Sequence, residues 1–405
     1  MMIKTKTSLE QKISMLLIFL YVFASYCAID LVVSRTWKSI TLFAFIGWGA
    51  LNVMYLISDV KLTAYSSWYI VFMTSSFIIM FYSPAFNLLA GEFYLMIVSF
   101  CITFLLQFFI KDEEDFQIVC WYYAISSLVL VIMLHFTGNL QGTSNERLGE
   151  ELFGNANNFA GMVMVAVMYA IWLLVYGAKY NISRLLLLVI IIWDMYALAL
   201  SAGRKYFVIP FVFLYFLLLY KTDKNGRKHV VKYTIIVALL IILAFNLIMN
   251  VPVLYDSIGV RMEGLIDGAT GQASYDTSSA IRERMRNDAL SQWKEKPIFG
   301  HGFDSYKYRA EQKMRHFFYS HCNFTELLYN GGVVYFAIYY WIYYLIIKRA
   351  YKSINVTQKF KAFSIATAVC LLVFDYGAVS YSISFVQIML AMALKGLSFS
   401  NAKEK

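Results

Sequence analysis

Charge is what this chain has least of. Asp, Glu, Lys and Arg make up 15% of its 405 residues, against 60% hydrophobic, and the mean hydropathy is +0.60. Soluble domains carry about 25% charged residues, so there are too few polar side chains to cover a water-soluble globule of this length. The short alternating segments of a β-barrel are missing too; the apolar stretches run on continuously. Cysteine is sparse and unpatterned. Cys27, Cys101, Cys120 and Cys370 stand singly in apolar runs, where Cys usually acts as a small buried hydrophobe. Without a CxxC pair, neither a zinc site nor a disulfide framework is suggested. Only Cys322, beside His321, has a neighbour of chemical interest. No internal repeat of the secondary-transporter kind and no low-complexity tract is present.

What remains is a series of long apolar runs separated by polar breaks. Runs of about 20 residues match a hydrocarbon core about 30 Å thick. They predict about twelve spans, at roughly 13–33, 39–58, 65–83, 92–110, 116–136, 157–177, 184–200, 206–220, 233–250, 321–347, 362–378 and 381–397. The first run follows Lys4, Lys6 and Lys12, but its core exceeds the usual 7–15 residues of a signal peptide and no clear A-x-A site closes it. It reads as an uncleaved first helix. The expected fold class is therefore an all-α integral membrane protein. It forms one polytopic domain over 1–405, with a single long extracytoplasmic loop, 251–320, between the ninth and tenth spans.

The net charge of +10 raises the question of nucleic acid. Most of the excess lies in short loops, where positive charge sets topology instead, so no nucleic-acid partner is expected. With a cytoplasmic N-terminus, the inside loops collect Lys61, Lys111, Lys179 and Arg184, then the blocks Lys221–Lys232 and Lys348–Lys361. The short outside loops hold only Arg35, Lys38, Arg147, Arg204 and Lys205. Both termini come out cytoplasmic. The acidic run Asp112-Glu113-Glu114-Asp115 falls in a cytoplasmic loop and reads as a solvated turn, not a metal site. Asp30, Asp194 and Asp375 fall in the outer parts of their spans, and Glu92, His135 and Glu326 near outer ends. Ionisable groups in spans are costly and suggest function. Singly, Asp30 and His135 read as snorkelling or capping groups; the shared sidedness of the set points to a polar outer cavity.

Three outer segments carry candidate chemistry. The first is Glu146-Arg147-Leu148-Gly149 followed by Phe153-Gly154-Asn155-Ala156-Asn157-Asn158-Phe159. An ordinary N-cap near Asn157 explains one Asn; the remaining amides, with Asn155 and Asn158, suit sugar hydroxyls because they both donate and accept. The second is Ser201-Ala202-Gly203-Arg204-Lys205, a tight turn with two cations. It fits snorkelling to headgroups or bidentate binding of phosphate by Arg204. The third is the long loop. Its pattern predicts a surface helix from about Ser279 to Lys296, with Ile281, Met285, Ala289 or Leu290, and Trp293 on one apolar side and Arg282 and Arg286 sharing a face. That helix fits an interfacial resting place or presentation of Arg282 to a diphosphate. Pro297-Ile298-Phe299-Gly300-His301-Gly302 makes a Gly-rich turn, and Ser320-His321-Cys322-Asn323-Phe324-Thr325-Glu326 opens the tenth span. Asn330-Gly331-Gly332 places small residues in that helix, where backbone or ligand can approach closely. A lone His at a helix mouth is commonly an interfacial hydrogen-bonding residue. Neutral imidazole is also a suitable general base near pH 7.

In this order the segments resemble the O-antigen ligase and surface-polysaccharide polymerase family of bacterial envelope glycosyltransferases. The likeness rests on Arg147 with Gly154–Phe159, Ser201–Arg204, Arg282 ahead of Pro297–Gly302, and Ser320–Glu326 with Gly331-Gly332. It covers about the last half to two-thirds of the chain. Two departures stand out: Cys322 intervenes between His321 and Asn323, and Arg286 stands where an aromatic is usual. The resemblance implies a glycosyltransferase-C-like membrane architecture. It also implies a metal-independent, cofactor-free enzyme acting on polyprenyl-diphosphate-linked glycans at the outer face of the bacterial cytoplasmic membrane. His321 is then the catalytic base, Arg147, Arg204 and Arg282 bind diphosphate, and Asn155, Asn158, Asn323 and Glu326 bind substrate. The absence of a DxD-like outer pair agrees with arginines in place of a metal.

The reading is a polymerase of O-antigen, capsule or exopolysaccharide, working beside a lipid-linked repeat-unit flippase and a chain-length regulator. A ligase of the same family is the close rival. A lipid-linked oligosaccharide flippase would explain the spans and polar cavity, but not a long loop of arginines ending at His321. A passive scaffold would not explain the costly polar residues.

Overall fold

The computed structural model describes residues 9–27, 31–55, 62–84, 86, 91–178, 180–221, 229–264, 277–315 and 318–399. Asp30, Lys61, Lys179, Lys224, Arg227 and Lys228 lie outside them. Among the described residues there are helices and turns but no strand. In chain order the helices are α1 (Leu9–Tyr26), α2 (Leu31–Tyr55), α3 (Ala64–Met80), α4 (Glu92–Phe109), α5 (Glu113–Phe136), the single turn α6 (Glu150–Phe153), α7 (Ala156–Trp172), α8 (Asn181–Leu200), α9 (Arg204–Leu219) and α10 (Val230–Asn250). They continue as the short α11 (Pro252–Leu254), α12 (Thr277–Trp293), α13 (Tyr306–Met314), α14 (Asn323–Lys352), α15 (Gln358–Tyr376) and α16 (Ser384–Gly396). A helix covers the core of every apolar run read from the sequence. Seven of these helices are long and apolar enough to cross a membrane; α3 and α16 are apolar but shorter. The chain is a helical, multi-span membrane protein.

The described chain clusters into two compact units. The first is Met1–Lys61, Phe104–Leu214 and Ile236–Gly259; the second is Leu62–Thr103, Tyr215–Ile235 and Val260–Lys405. The 251–320 segment is thus divided between them at Gly259, and it is largely helical, through α12 and α13.

In the first unit α7 is the buried helix, with every residue from Val163 to Trp172 inside. Lipid is as apolar as a core, so burial alone does not drive helices together there; close packing does. Ala160, Gly161, Ala166 and Ala170 supply the small surfaces that permit it. Tyr26 donates to the Met162 carbonyl at 2.6 Å, and Tyr123 and Trp172 make edge contacts with Tyr169 and Phe116. The acidic run is the N-terminus of α5. Asp112 caps it by accepting from the Asp115 N–H at 2.9 Å, and the acids of the first turn suit the positive end of the helix dipole.

In the second unit α3 packs on α14 through Trp68, Phe72, Tyr335 and Tyr339. A membrane core gives backbone and side-chain polar groups no water to bond with, so they must pair internally. Two such pairs join α3 to α14: Trp68 donates to the Ile338 carbonyl at 2.7 Å, and the Ser76 and Tyr335 hydroxyls meet at 2.7 Å. Met285 and Ala289 of α12 bury against Tyr306 and Ala310 of α13 and Tyr329 of α14. That packing seats the segment on the helix that begins beside His321. As the sequence predicts, Met285 and Ala289 form the apolar side of α12; Ile281 stays exposed.

Candidate functional site

His321 sits one residue ahead of the Cys322 N-cap of α14, in a left-handed conformation with φ +58°. A non-glycine residue there costs roughly 1–2 kcal/mol, so the surroundings must hold it. They hold it from both sides. The Ser320 N–H donates to Glu326 Oε2 at 2.7 Å, and the Ser320 hydroxyl donates to the Cys322 carbonyl at 3.0 Å. Thr325 Oγ1 lies 2.9 Å from Ser320 Oγ and 3.1 Å from the Cys322 carbonyl. Ser320, Cys322, Asn323, Thr325 and Glu326 are buried, whereas His321 is half-buried. Ser320, Thr325 and Glu326 thus all work on the turn. The Tyr319 ring stands edge-on to the imidazole with centroids 4.8 Å apart.

Asn323 fixes the same turn to α15 and the loop after it. Its amide donates to the Tyr340 hydroxyl at 3.1 Å and towards Asp375 Oδ2 at 3.5 Å. Its carbonyl oxygen accepts from the Ser380 and Tyr381 N–H groups at 3.0 and 3.1 Å. Asp375, fully buried, also accepts from Tyr340 at 3.0 Å, Tyr343 at 3.2 Å and the Ser380 hydroxyl. A carboxylate taken out of water this completely needs such a set of donors. Asn323 and Glu326, both read as substrate binders from the sequence, are 0% and 1% exposed; the structure uses their polar atoms to hold the backbone.

The Gly-rich turn lies across α14 at its two glycines. The His301 and Gly302 N–H groups donate to the Tyr329 and Asn330 carbonyls at 2.9 and 2.8 Å, and the Val333 N–H to the Pro297 carbonyl at 2.9 Å. Gly332 breaks the helix with φ +66°, ψ −166°, and a Cβ on it would sit 2.3 Å from the Ile298 backbone. The close approach that Asn330-Gly331-Gly332 suggests is therefore made by backbone. His301 stacks on Tyr329 at 4.5 Å.

This turn delivers Asp304, another left-handed residue with φ +54°, to a group of charges. Asp304 pairs with Lys307 and feels Glu92, which contacts the Ser382 hydroxyl. Burial pushes the Asp304 carboxyl up to about 6 against the opposing pull of Lys307. Tyr319, 39% exposed, feels the positive charge of Arg282 and the negative charges of Glu92 and Glu326. The second unit therefore brings His321, Tyr319, Arg282, Glu326 and Glu92 into one electrostatic neighbourhood. Arg286 takes a different partner: its guanidinium lies over the Tyr376 ring, 4.8 Å from the centroid.

In the first unit, two of the predicted segments meet. Arg147 Nε donates to the Ser201 carbonyl at 2.8 Å, and Nη2 to Asn157 Oδ1 at 3.1 Å; the Leu148 N–H reaches the Leu200 carbonyl at 3.2 Å. Arg147 is therefore tied to the turn that leads into Arg204, itself half-buried as the first residue of α9. Asn155, not Asn157, caps α7. Asn155 and Asn158 are exposed. Among the remaining outer-side candidates, His135 packs edge-on to Trp193 at 5.6 Å, and Asp194 is fully buried on α8.

Sequence reasoning missed Ser320 and Thr325 as supports of His321, and Asp304 altogether. The first two carry a readable signal, since Ser and Thr around a helix start habitually bond to nearby backbone. Asp304 carries none, because its burial is created by contacts with distant segments.

Residues 186–340 match the family model described as O-antigen ligase. The matched stretch contains Arg204, Arg282, His321, Asn323 and Glu326, and begins after Arg147, Asn155 and Asn158. No curated protein matches the chain.

Proposed function

We propose, from the premise that this chain belongs to the O-antigen ligase and polysaccharide polymerase family by that match, that it polymerises a bacterial surface polysaccharide. The family's enzymes are membrane glycosyltransferases acting on lipid-linked glycans. In the reaction proposed, the hydroxyl of an acceptor sugar on one lipid-linked repeat attacks the anomeric carbon of a second glycan carried on polyprenyl diphosphate. The new carbon–oxygen bond forms as the bond to diphosphate breaks, and the electron pair leaves with the diphosphate. His321 takes the hydroxyl proton as general base. Arg282, Arg204 and Arg147 stabilise the negative charge that develops on the leaving group, as preorganised cations do. Asn155 and Asn158 bind sugar hydroxyls. Asn323 and Glu326 act by positioning the His321 turn. The chemistry takes place at the outer face of the cytoplasmic membrane, in a chain of about twelve spans with both termini inside, supplied by a repeat-unit flippase and governed by a chain-length regulator.

The observation that carries this reading is the turn at His321: the buried side chains of Ser320, Thr325 and Glu326 brace the backbone on either side of a half-buried histidine, in a conformation that costs free energy. Strain of that kind accompanies function. The test uses purified protein in nanodiscs, a defined lipid-linked repeat unit and a chelator. Wild type is expected to build a ladder of polymer, and His321→Ala to lose about a hundredfold or more in rate at unchanged melting temperature. Normal polymer from His321→Ala would reject the assignment. Unattached long polymer on the lipid carrier of a deletion strain would identify a ligase instead.

A further inference from the structure

The reaction proposed develops charge at two places, and the residues assigned so far meet only one of them. Negative charge gathers on the departing diphosphate, where the arginines act. As that bond stretches, positive charge gathers on the anomeric carbon and its ring oxygen, as it does in glycoside hydrolysis. Tyr319 is related to both ends. Its ring meets the His321 imidazole in a T-shaped contact with centroids 4.8 Å apart, and the charge of Arg282 acts on it. Two rings so arranged touch along one edge, so the imidazole leaves at least one face of the Tyr319 ring uncovered. The side chain is exposed. The carboxylates of Glu92 and Glu326 act on it as well. Glu92 is held at the start of α4 by the Ser382 hydroxyl, and Glu326 at the Ser320 N–H.

A donor sugar whose diphosphate rests on Arg282, while His321 draws the proton from the incoming hydroxyl, has its anomeric carbon between those two groups. Tyr319 adjoins the second and feels the first, so its ring belongs beside that carbon. The face of an aromatic ring is the negative part of its quadrupole and attracts positive charge, more strongly where water is excluded. That attraction grows only as charge develops, so it lowers the barrier without tightening the ground state. We propose that the Tyr319 ring lies against the donor sugar at its reacting carbon and stabilises the positive charge of the transition state. The inference rests on the glycosyl-transfer reading above and supplies that reaction with a group for its positive end. The ring face carries the effect, not the phenol proton, which separates this role from that of a second general acid or base. The negative charges of Glu92 and Glu326 favour the same carbon from further off.

The test replaces Tyr319 in the full chain in nanodiscs and follows transfer between defined lipid-linked repeat units. Tyr319→Phe keeps the ring face and is expected to stay within about threefold of wild-type kcat, whereas Tyr319→Leu is expected to fall about tenfold or more. Phenylalanine bearing one, two or three ring fluorines, introduced at position 319 by nonsense suppression, keeps the shape of the ring while draining negative charge from its face. Across that series kcat is expected to fall stepwise, by about tenfold in all, with KM and melting temperature as in Tyr319→Phe. A ring that only braces His321 gives a different record: the plateau of kcat stays level and the acid limb of the pH profile moves, because the imidazole alone senses the change. That record would overturn the proposal, as would full activity of Tyr319→Leu. Normal polymer from His321→Ala rejects the base assigned in the reading, whereas a level fluorine series beside an inactive His321→Ala rejects the part of Tyr319 alone.

Discussion

Two asparagines open two helices in this protein, and they do so from opposite surroundings. Asn155 is exposed and caps α7 with its own side chain, accepting the Asn157 N–H at 2.8 Å, two residues away. Asn323 is fully buried at the start of α14, and its partners are Tyr340, Asp375, Ser380 and Tyr381. The first is a local bond that water replaces with little loss. The second joins separate helices where no water is at hand, so each unmade bond there costs the desolvation of its group. The same side chain caps the start of a helix in one region and assembles a tertiary core in the other. Burial decides which, and so decides what its loss should do.

The largest effect expected from this comparison is at Asn323. Asn323→Ala orphans the Ser380 and Tyr381 N–H groups and removes one donor from Asp375. At about 1–3 kcal/mol for each buried group left unpaired, the loss should reach roughly 3 kcal/mol or more. Denaturant titration in micelles measures it. A loss below about 1 kcal/mol would mean that the α14–α15 junction does not depend on this amide.

Glu326 lies between the two extremes, because it is buried but bonds nearby, to the Ser320 N–H six residues back. Glu326→Ala should lower stability by about 1–3 kcal/mol. It should also loosen the left-handed turn, so kcat falls while KM for the lipid-linked repeat changes little. Glu326→Gln keeps an acceptor for the Ser320 N–H and should recover most of the rate. A rise in KM with unchanged kcat would return Glu326 to the role of substrate binder.

The sequence made the helices legible and left their junctions obscure, for the same physical reason. Long apolar runs report helices directly, so the core of each run from Ile13 to Leu397 appears as helix, and seven of these helices are long and apolar enough to cross a membrane. The surface helix is legible too: Met285 and Ala289 show the spacing of a buried stripe and are buried. The close approach at Gly331-Gly332 follows from missing side chains, although the sequence does not say that the backbone at Ile298 fills it. What periodicity cannot report is where a polar atom points. Asn323 and Glu326 read as substrate groups because they flank His321. Their partners include residues as distant as Tyr381, and no local pattern encodes such a contact. Asn157 likewise reads as the N-cap of its helix, yet left-handed Gly154, at φ +66°, closes the preceding turn α6, and α7 begins at Ala156 with Asn155 as its cap.

Asn155 should therefore show the smallest change in stability and the sharper functional contrast. Asn155→Ala removes one exposed N-cap, which costs about 1 kcal/mol. Asn155→Ser and Asn155→Asp supply another cap oxygen and should restore that stability almost fully. If the amide serves only as a cap, activity follows stability through the series, and both replacements rescue it. If it also binds a sugar hydroxyl, as proposed, Asn155→Ser restores the melting temperature but leaves KM for the lipid-linked repeat raised severalfold, because a hydroxyl cannot reproduce an amide's paired donor and acceptor. The separation of KM from melting temperature in that one variant distinguishes a residue that merely begins a helix from one that begins a helix and meets the substrate.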